Sequence, residues 1–141
     1  MTRRTSPRDD EDGSILLLTL GYVLLALAVL FVCVCATDLY IAQKRLDTLA
    51  DSAALAGADG FTLVVSGESV AAELTDERVH EQASALLAAL PSNATLVEAN
   101  SPDGVSAHVI VTSAWHPPLF SPFVPDGIRL EANATTRTAL R

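Results

Sequence analysis

Residues 15–36 read ILLLTLGYVLLALAVLFVCVCA, an unbroken stretch without a charged side chain. As a helix, that stretch spans about 33 Å, against a bilayer hydrocarbon core of about 30 Å. A secretory apolar segment is usually shorter, about 7–15 residues, and ends in a small-residue cleavage site. No A-x-A follows residue 36. Residues 15–36 are therefore expected to form a retained single-pass transmembrane helix. The alternatives are a cleaved signal or a buried core helix.

The flanks set the expected orientation. Residues 1–14, MTRRTSPRDDEDGS, hold Arg3, Arg4 and Arg8 followed by four acids, and read as a solvated, charged tail. The other flank offers only Lys44 and Arg45 nearby. Basic residues favour the cytoplasmic side, so the N-terminus is expected in the cytoplasm and the rest of the chain outside it. Cys33 and Cys35 lie within the span, about 200° apart on a helix, so they cannot bond each other or share a metal. They read as lipid-facing or packing thiols. The exported part has no cysteine.

Helical spacing continues past Ala36. Leu39, Ala42, Leu46, Leu49, Ala53 and Ala56 recur at steps of three and four, an a/d seam. No proline interrupts residues 14–58. The pattern predicts one helix of roughly 45 residues, about 65 Å long, ending at Gly57 to Gly60. The seam thins from Leu to Ala, and small residues let another backbone approach closely. It packs either on its own C-terminal domain alone or on neighbouring subunits as well.

The remaining chain suits one small α+β domain. Phe61 to Val65 is a short β-prone run between glycines. A helix is expected over 73–90: Thr75 can cap it, Asp76 and Glu77 suit its positive end, and Pro91 stops it. Val79, Ala83, Leu86, Leu87 and Leu90 form its apolar face. Residues 94–99 and 105–114 flank Pro102-Asp103-Gly104, a turn in which Pro presets φ and Gly accepts the left-handed position. Residues 128–137 alternate, with Ile128, Leu130, Ala132 and Ala134 on one side and polar residues on the other. The expected head is an antiparallel sheet of about three strands with one helix packed on it. The domain plan is a cytoplasmic tail at 1–14, a transmembrane helix at 15–36, its extracytoplasmic continuation at 37–59, and an extracytoplasmic α+β domain at 60–141.

Residues 115–125, WHPPLFSPFVP, carry four prolines, which forbid regular structure. Trp115, Leu119, Phe120 and Phe123 are nevertheless large and apolar. The segment either folds back over the sheet or serves as a docking loop.

Signatures of catalysis are missing. The chain has 141 residues and a net charge of −8, with a single lysine, which argues against nucleic acid. Glu77-x-x-His80 has the spacing of half a carboxylate-bridged dimetal site, but no second copy exists. Gly67-Glu68-Ser69-Val70-Ala71 lacks the second glycine of a nucleophile elbow. His108 and His116 read as sheet-surface and loop residues. The chain is expected to be no enzyme and to use no metal or cofactor.

Basic residues, a Gly13-Ser14 step, an apolar helix and the run DLYIAQKRLDTLADSAALAGAD resemble the TadE/TadG-like proteins of tight-adherence (Flp/Tad) pilus assembly in bacteria. The most specific part is Asp51, Ala53, Ala54, Leu55, Ala56 and Gly57, in register behind the transmembrane helix. The resemblance covers Gly13 to Asp59, about a third of the chain. It implies a membrane-anchored, pilin-like assembly component in the bacterial cytoplasmic membrane. Its implied partners are other pilus-assembly membrane proteins or pilins, the bilayer, and copies of itself through the N-terminal helix. Two features depart from family patterns. Asp51-Ser52-Ala53 does not satisfy the D-x-S-x-S metal motif of members with a von Willebrand type A domain. Cutting after Gly13 would place Leu18 where cleaved pseudopilins carry Glu, so the resemblance leans to the TadG side. The competing expectation is a single-pass sensor or regulator with an extracytoplasmic binding domain. Its cytoplasmic output would have to come from the short tail.

Overall fold

With no proline after Pro7 until Pro91, the first part of the chain is free to stay helical, and it does so as α1 (Arg8–Ala58). The computed structural model describes residues 8–67, 69–118, 122 and 125–137. The architecture is α+β. After α1 come β1 (Thr62–Ser66), β2 (Ser69–Glu73), α2 (Asp76–Ala89), β3 (Thr95–Asn100), β4 (Ser106–Trp115) and β5 (Ile128–Arg137). The chain divides into two compact units after Thr37.

In the first unit, α1 shows large apolar side chains from Ile15 to Val34 around its whole circumference. Its stretch is long and apolar enough to cross a membrane. Two threonine hydroxyls of this unit are turned back on the backbone. Thr19 Oγ1 donates to the carbonyls of Ile15 and Leu16, and Thr37 Oγ1 donates to Cys33 O at 2.8 Å. Such bonds satisfy hydroxyls where no water is at hand.

The second unit is built on β3-β4-β5, an antiparallel sheet with β4 in the middle. One sheet face is apolar. Ala107, Val109 and Val111 of β4 are fully buried, with Ala99 of β3 and with Ala132 and Ala134 of β5 beside them. The register places Val109 opposite Ala134 and Val111 opposite Ala132. Small residues on β5 beside valines on β4 leave room for helices to lie close. Leu46, Ala50, Ala53, Ala54 and Ala58 of α1 join this core, as do Val79, Ala83 and Leu87 of α2. The residues between, including His108, Glu131, Asn133 and Thr135, fall on the opposite, polar face by the alternation of the strands.

Several boundaries differ from the expectation: α1 already begins at Arg8, inside the expected tail, and β3 and β4 each lie one residue later than expected. The second helix is Asp76–Ala89, because Glu73 is taken up by β2, where it pairs with Thr62. Thr75 sits at the N-cap and its carbonyl accepts from Val79 N at 3.0 Å, but its hydroxyl makes no capping bond. Leu90, ahead of Pro91, is extended and ends the helix. The run at 61–65 also differs. β1 starts at Thr62 and stays outside the main sheet, forming a separate ribbon with β2. Ser66 pairs with Ser69, and Gly67 takes φ 67° in the short connection, a backbone state glycine adopts without strain.

The Pro-Asp-Gly turn is held by its acid. The Asp103 carboxylate accepts from Val105 N, from Ser106 N at 2.6 Å and from Ser106 Oγ at 2.8 Å, and Gly104 has φ 71°. Gly104 O also accepts from Leu74 N at 2.8 Å, tying this turn to the segment that enters α2.

Candidate functional site

The residues singled out on α1 occupy different depths. Leu46 and Ala53 are buried in the core, whereas Leu39, Ala42, Leu49 and Ala56 are half-buried. Within the Asp51 to Gly57 run, Ala53, Ala54 and Gly57 face inward, Ala56 is half-buried, and Asp51 and Leu55 are exposed. The fully covered stripe is Leu46, Ala50, Ala53, Ala54, Gly57 and Ala58, which follows the 3.6-residue period of a helix against a sheet. Leu46, Ala50, Ala53, Ala54 and Ala58 of that stripe share one core with Val79, Ala83 and Leu87 of α2 and with Ala107, Val109 and Val111 of β4.

Gly57 marks the closest approach. A Cβ placed there would lie 2.9 Å from Val79 Cγ1 and 3.4 Å from Ala107 Cβ. The small residues at the end of α1 therefore let it sit against α2 and β4 together.

At the other end of the unit, Trp115 links β4 to the start of this helix segment. Its Nε1 donates to Asp38 Oδ2 at 2.7 Å, and the ring is only 9% exposed. Gln43 ties α1 to β5, its Nε2 donating to Glu131 O at 2.9 Å and to Asp47 Oδ1 at 3.0 Å. Lys44 pairs with Asp47 at 3.1 Å. The hydrogen bonds from Gln43 and then Lys44 hold the Asp47 carboxyl below its ordinary range, and Asp47 in turn raises Lys44. Between α1, the 90–94 segment and the end of β4 lies an open, mainly apolar groove of about 580 Å³. Leu46, Leu49, Leu90, Pro91, Trp115 and Leu130 contribute to its wall. Of the expected docking loop, Trp115 is thus built into the fold. Leu119, Phe120 and Phe123 lie outside the described residues.

Among the described residues, no group of three or more His, Cys, Asp or Glu side chains is placed to hold a metal ion. Glu77 and His80 line a shallow surface with Asp76, Glu81 and Ala99. Asp76 is engaged elsewhere, its Oδ1 accepting from Ser101 N at 2.7 Å. His116 Nε2 lies 3.3 Å from Pro125 O. Cys33 and Cys35 are free thiols.

The part of the chain that is similar to a known family is the apolar stretch together with the Ala-rich, Gly-ended segment that follows it in sequence. Residues 13–60 match the Tad family model, putative Flp pilus-assembly TadE/G-like. The TadE/G-like segment is about a third of the chain and takes in the apolar stretch, the seam and Gly57. No curated protein and no solved structure matches the chain.

One surface had no counterpart in the sequence reasoning. The β1–β2 ribbon leaves Leu63 57% exposed and Val65 68% exposed, and these two share one strand face. Val64 on the other face is also exposed. The signal available in the sequence was Gly67 between two short runs, a hairpin mark of low specificity.

Proposed function

We propose that this protein is a non-enzymatic, membrane-anchored component of tight-adherence (Flp/Tad) pilus assembly, pilin-like and of the TadE/TadG type. The observation that carries the proposal is the TadE/G-like match over residues 13–60, placed on a helix that contains a span-length apolar stretch. In this proposal residues 15–36 cross the cytoplasmic membrane with the N-terminus inside. The α+β unit then stands outside the cytoplasm, where it meets other pilus-assembly proteins or pilins. The fold supports a scaffold role. The second unit uses its buried surface to lock α1, α2 and the sheet together, and it offers partners the outer helix face, the groove beside Leu49 and the β1–β2 ribbon.

The test is cell fractionation of a C-terminally tagged chain after shearing. Recovery with the sheared filaments makes it a minor pilus subunit. Retention in the membrane with the tag open to external protease makes it an assembly or anchoring factor. A tag protected inside the cell reverses the topology and refutes the proposal.

A further inference from the structure

The β1–β2 ribbon leaves one strand edge ready to pair. Neither strand joins the main sheet, so among the described residues β1 has β2 on one side and no strand on the other. Ser66 and Ser69 form the pair that closes the hairpin. In an antiparallel ladder, pairs that exchange hydrogen bonds alternate with pairs that do not, and the pair closing a two-residue hairpin exchanges them. Ser66, Val64 and Thr62 therefore spend their backbone groups on Ser69, Ala71 and Glu73. Leu63 and Val65 turn their N–H and C=O away from β2, toward the open edge. The base of the ribbon is fixed to the rest of the unit. Phe61 packs against the core, and Leu74 is buried and donates its N–H to Gly104 O at 2.8 Å.

Nothing in the sequence guards this edge. Proteins protect exposed strand edges with charge, proline or a bulge. The outer strands of the main sheet carry such features: β3 shifts register between Leu96 and Glu98, and β5 holds Arg129, Glu131 and Arg137. Residues 60–67, GFTLVVSG, contain no charge and no proline, in a chain of net charge −8. The strand is aliphatic on both sides, with Leu63 and Val65 exposed on one face and Val64 on the other. A lone two-stranded ribbon is marginal in water, and further strands stabilise it.

We propose that β1 pairs antiparallel with β1 of a second copy of this chain, about a twofold axis at Val64. The run Thr62-Leu63-Val64-Val65-Ser66 complements itself in that register. Leu63 faces Val65 of the second copy, and Val65 faces its Leu63. These are the residues whose backbone groups point to the open edge, so the pairing forms four N–H···O=C bonds and breaks none to β2. Leu63 and Val65 of both copies then make one aliphatic patch on a four-stranded β2-β1-β1-β2 sheet, and the two Val64 side chains meet on its other face. Thr62 stands opposite Ser66, so no charge enters the seam. A twofold interface needs a surface that matches itself, and β1 does so in backbone and side chains alike. That match makes a second copy the occupant. The inference lies wholly within the 38–141 unit and holds whether or not residues 15–36 span a membrane.

The test is a disulfide at the axis. Val64 opposite Val64 is a non-hydrogen-bonded pair, with Cα atoms about 4.5 Å apart, inside the range of about 4.4–6.8 Å that a disulfide spans. The purified full chain in detergent carries Val64→Cys together with Cys33→Ser and Cys35→Ser, which remove its two native thiols. Mild oxidation is expected to give a disulfide-linked dimer. Val97→Cys on the same background, an exposed apolar position on β3, should stay monomeric. Two blocking changes are then added to Val64→Cys. Val65→Pro removes an outward N–H and leaves the ladder to β2 in place. Leu63→Lys with Val65→Lys keeps every backbone group and sets like charges directly opposite each other across the seam. Each should abolish the dimer while Trp115 emission stays unchanged. Absence of a dimer at Val64→Cys overturns the inference. Equal crosslinking at Val97→Cys also overturns it, as does a Val64→Cys dimer that survives both blocking changes, because the copies then meet elsewhere. None of these outcomes bears on the membrane-anchored reading, which the fractionation experiment tests separately.

Discussion

Gly57→Ala places a methyl group where α1 meets α2 and β4. The new Cβ would lie 2.9 Å from Val79 Cγ1 and 3.4 Å from Ala107 Cβ. Val79 is fully buried on α2, and a β-branched side chain on a helix has one strongly preferred χ1 rotamer. Its methyl cannot simply swing away. On helix propensity alone, exchanging Gly for Ala would stabilise α1 by about 1 kcal/mol. Forcing a methyl into a filled core costs about 1–3 kcal/mol. The steric term should win, leaving the variant less stable by about 1 kcal/mol, out of a typical total of about 5–15 kcal/mol. Two opposing terms of similar size make a double-mutant cycle the decisive measurement. Val79→Ala alone should cost about 2 kcal/mol, from two lost carbons at about 0.8 kcal/mol each plus a small cavity. In the double variant, the methyl added at position 57 would occupy space that Cγ1 has vacated. The pair should then be more stable than the sum of the singles by about 1 kcal/mol. Urea unfolding of the full chain in detergent, followed by Trp115 emission, reads both quantities. If Gly57→Ala is stabilising by the full helix-propensity gain and additive with Val79→Ala, the close approach is not what requires glycine, and the packing argument fails.

Three further outcomes are expected. Asp38→Ala removes the acceptor of Trp115 Nε1 and leaves a largely buried indole N–H unpaired; the loss should be about 1–2 kcal/mol, with a shift in Trp115 emission, and unchanged emission would contradict the bond. Hydrogen bonds from the Ser106 hydroxyl and the Val105 amide hold Asp103 below its ordinary range. Its contribution is present above the unfolded carboxyl value of about 3.9 and lost as pH falls through the lower folded value. An acid titration of stability should therefore be shallower in Asp103→Ala than in the wild type, and equal slopes would refute the role given to the turn. Leu63→Thr with Val65→Thr keeps β-propensity on an exposed ribbon face, so stability should change by no more than about 0.5 kcal/mol; selective loss of pilus assembly in this variant would identify the ribbon as a docking element, and normal assembly would remove it from the candidates.

Several features were legible from local sequence because their causes are local. A charge-free stretch at 15–36 is a property of composition. The alternation at 128–137 needs only the two-residue period of a strand, and Ala132 and Ala134 are indeed buried. Pro91 stops α2 by chemistry within its own neighbourhood. The Asp103 turn binds partners two and three residues away. β2 was not legible, because Ser69 to Glu73 is short and Ala-containing and becomes a strand only by pairing with β1. Nor was the location of Ile128 and Val105 evident: both follow the apolar alternation of their segments yet remain exposed, at the start of β5 and just before β4.

By itself, then, the sequence determined a span-length apolar helix, its continuation into an Ala-rich segment, an α+β head and a TadE/G-like signature over residues 13–60. All of these follow from periodicity, charge and turn chemistry that act over a few residues. Tertiary structure decided which surfaces meet. An Ala-rich helix offers several nearly equivalent faces, and the stripe from Leu46 to Ala58 became the inner one because β4 and α2 supply a close-fitting surface beside Gly57. The bond from Trp115 to Asp38 joins residues 77 positions apart. No local pattern encodes such a contact, since it depends on the register of β4 and on where α1 lies against the sheet.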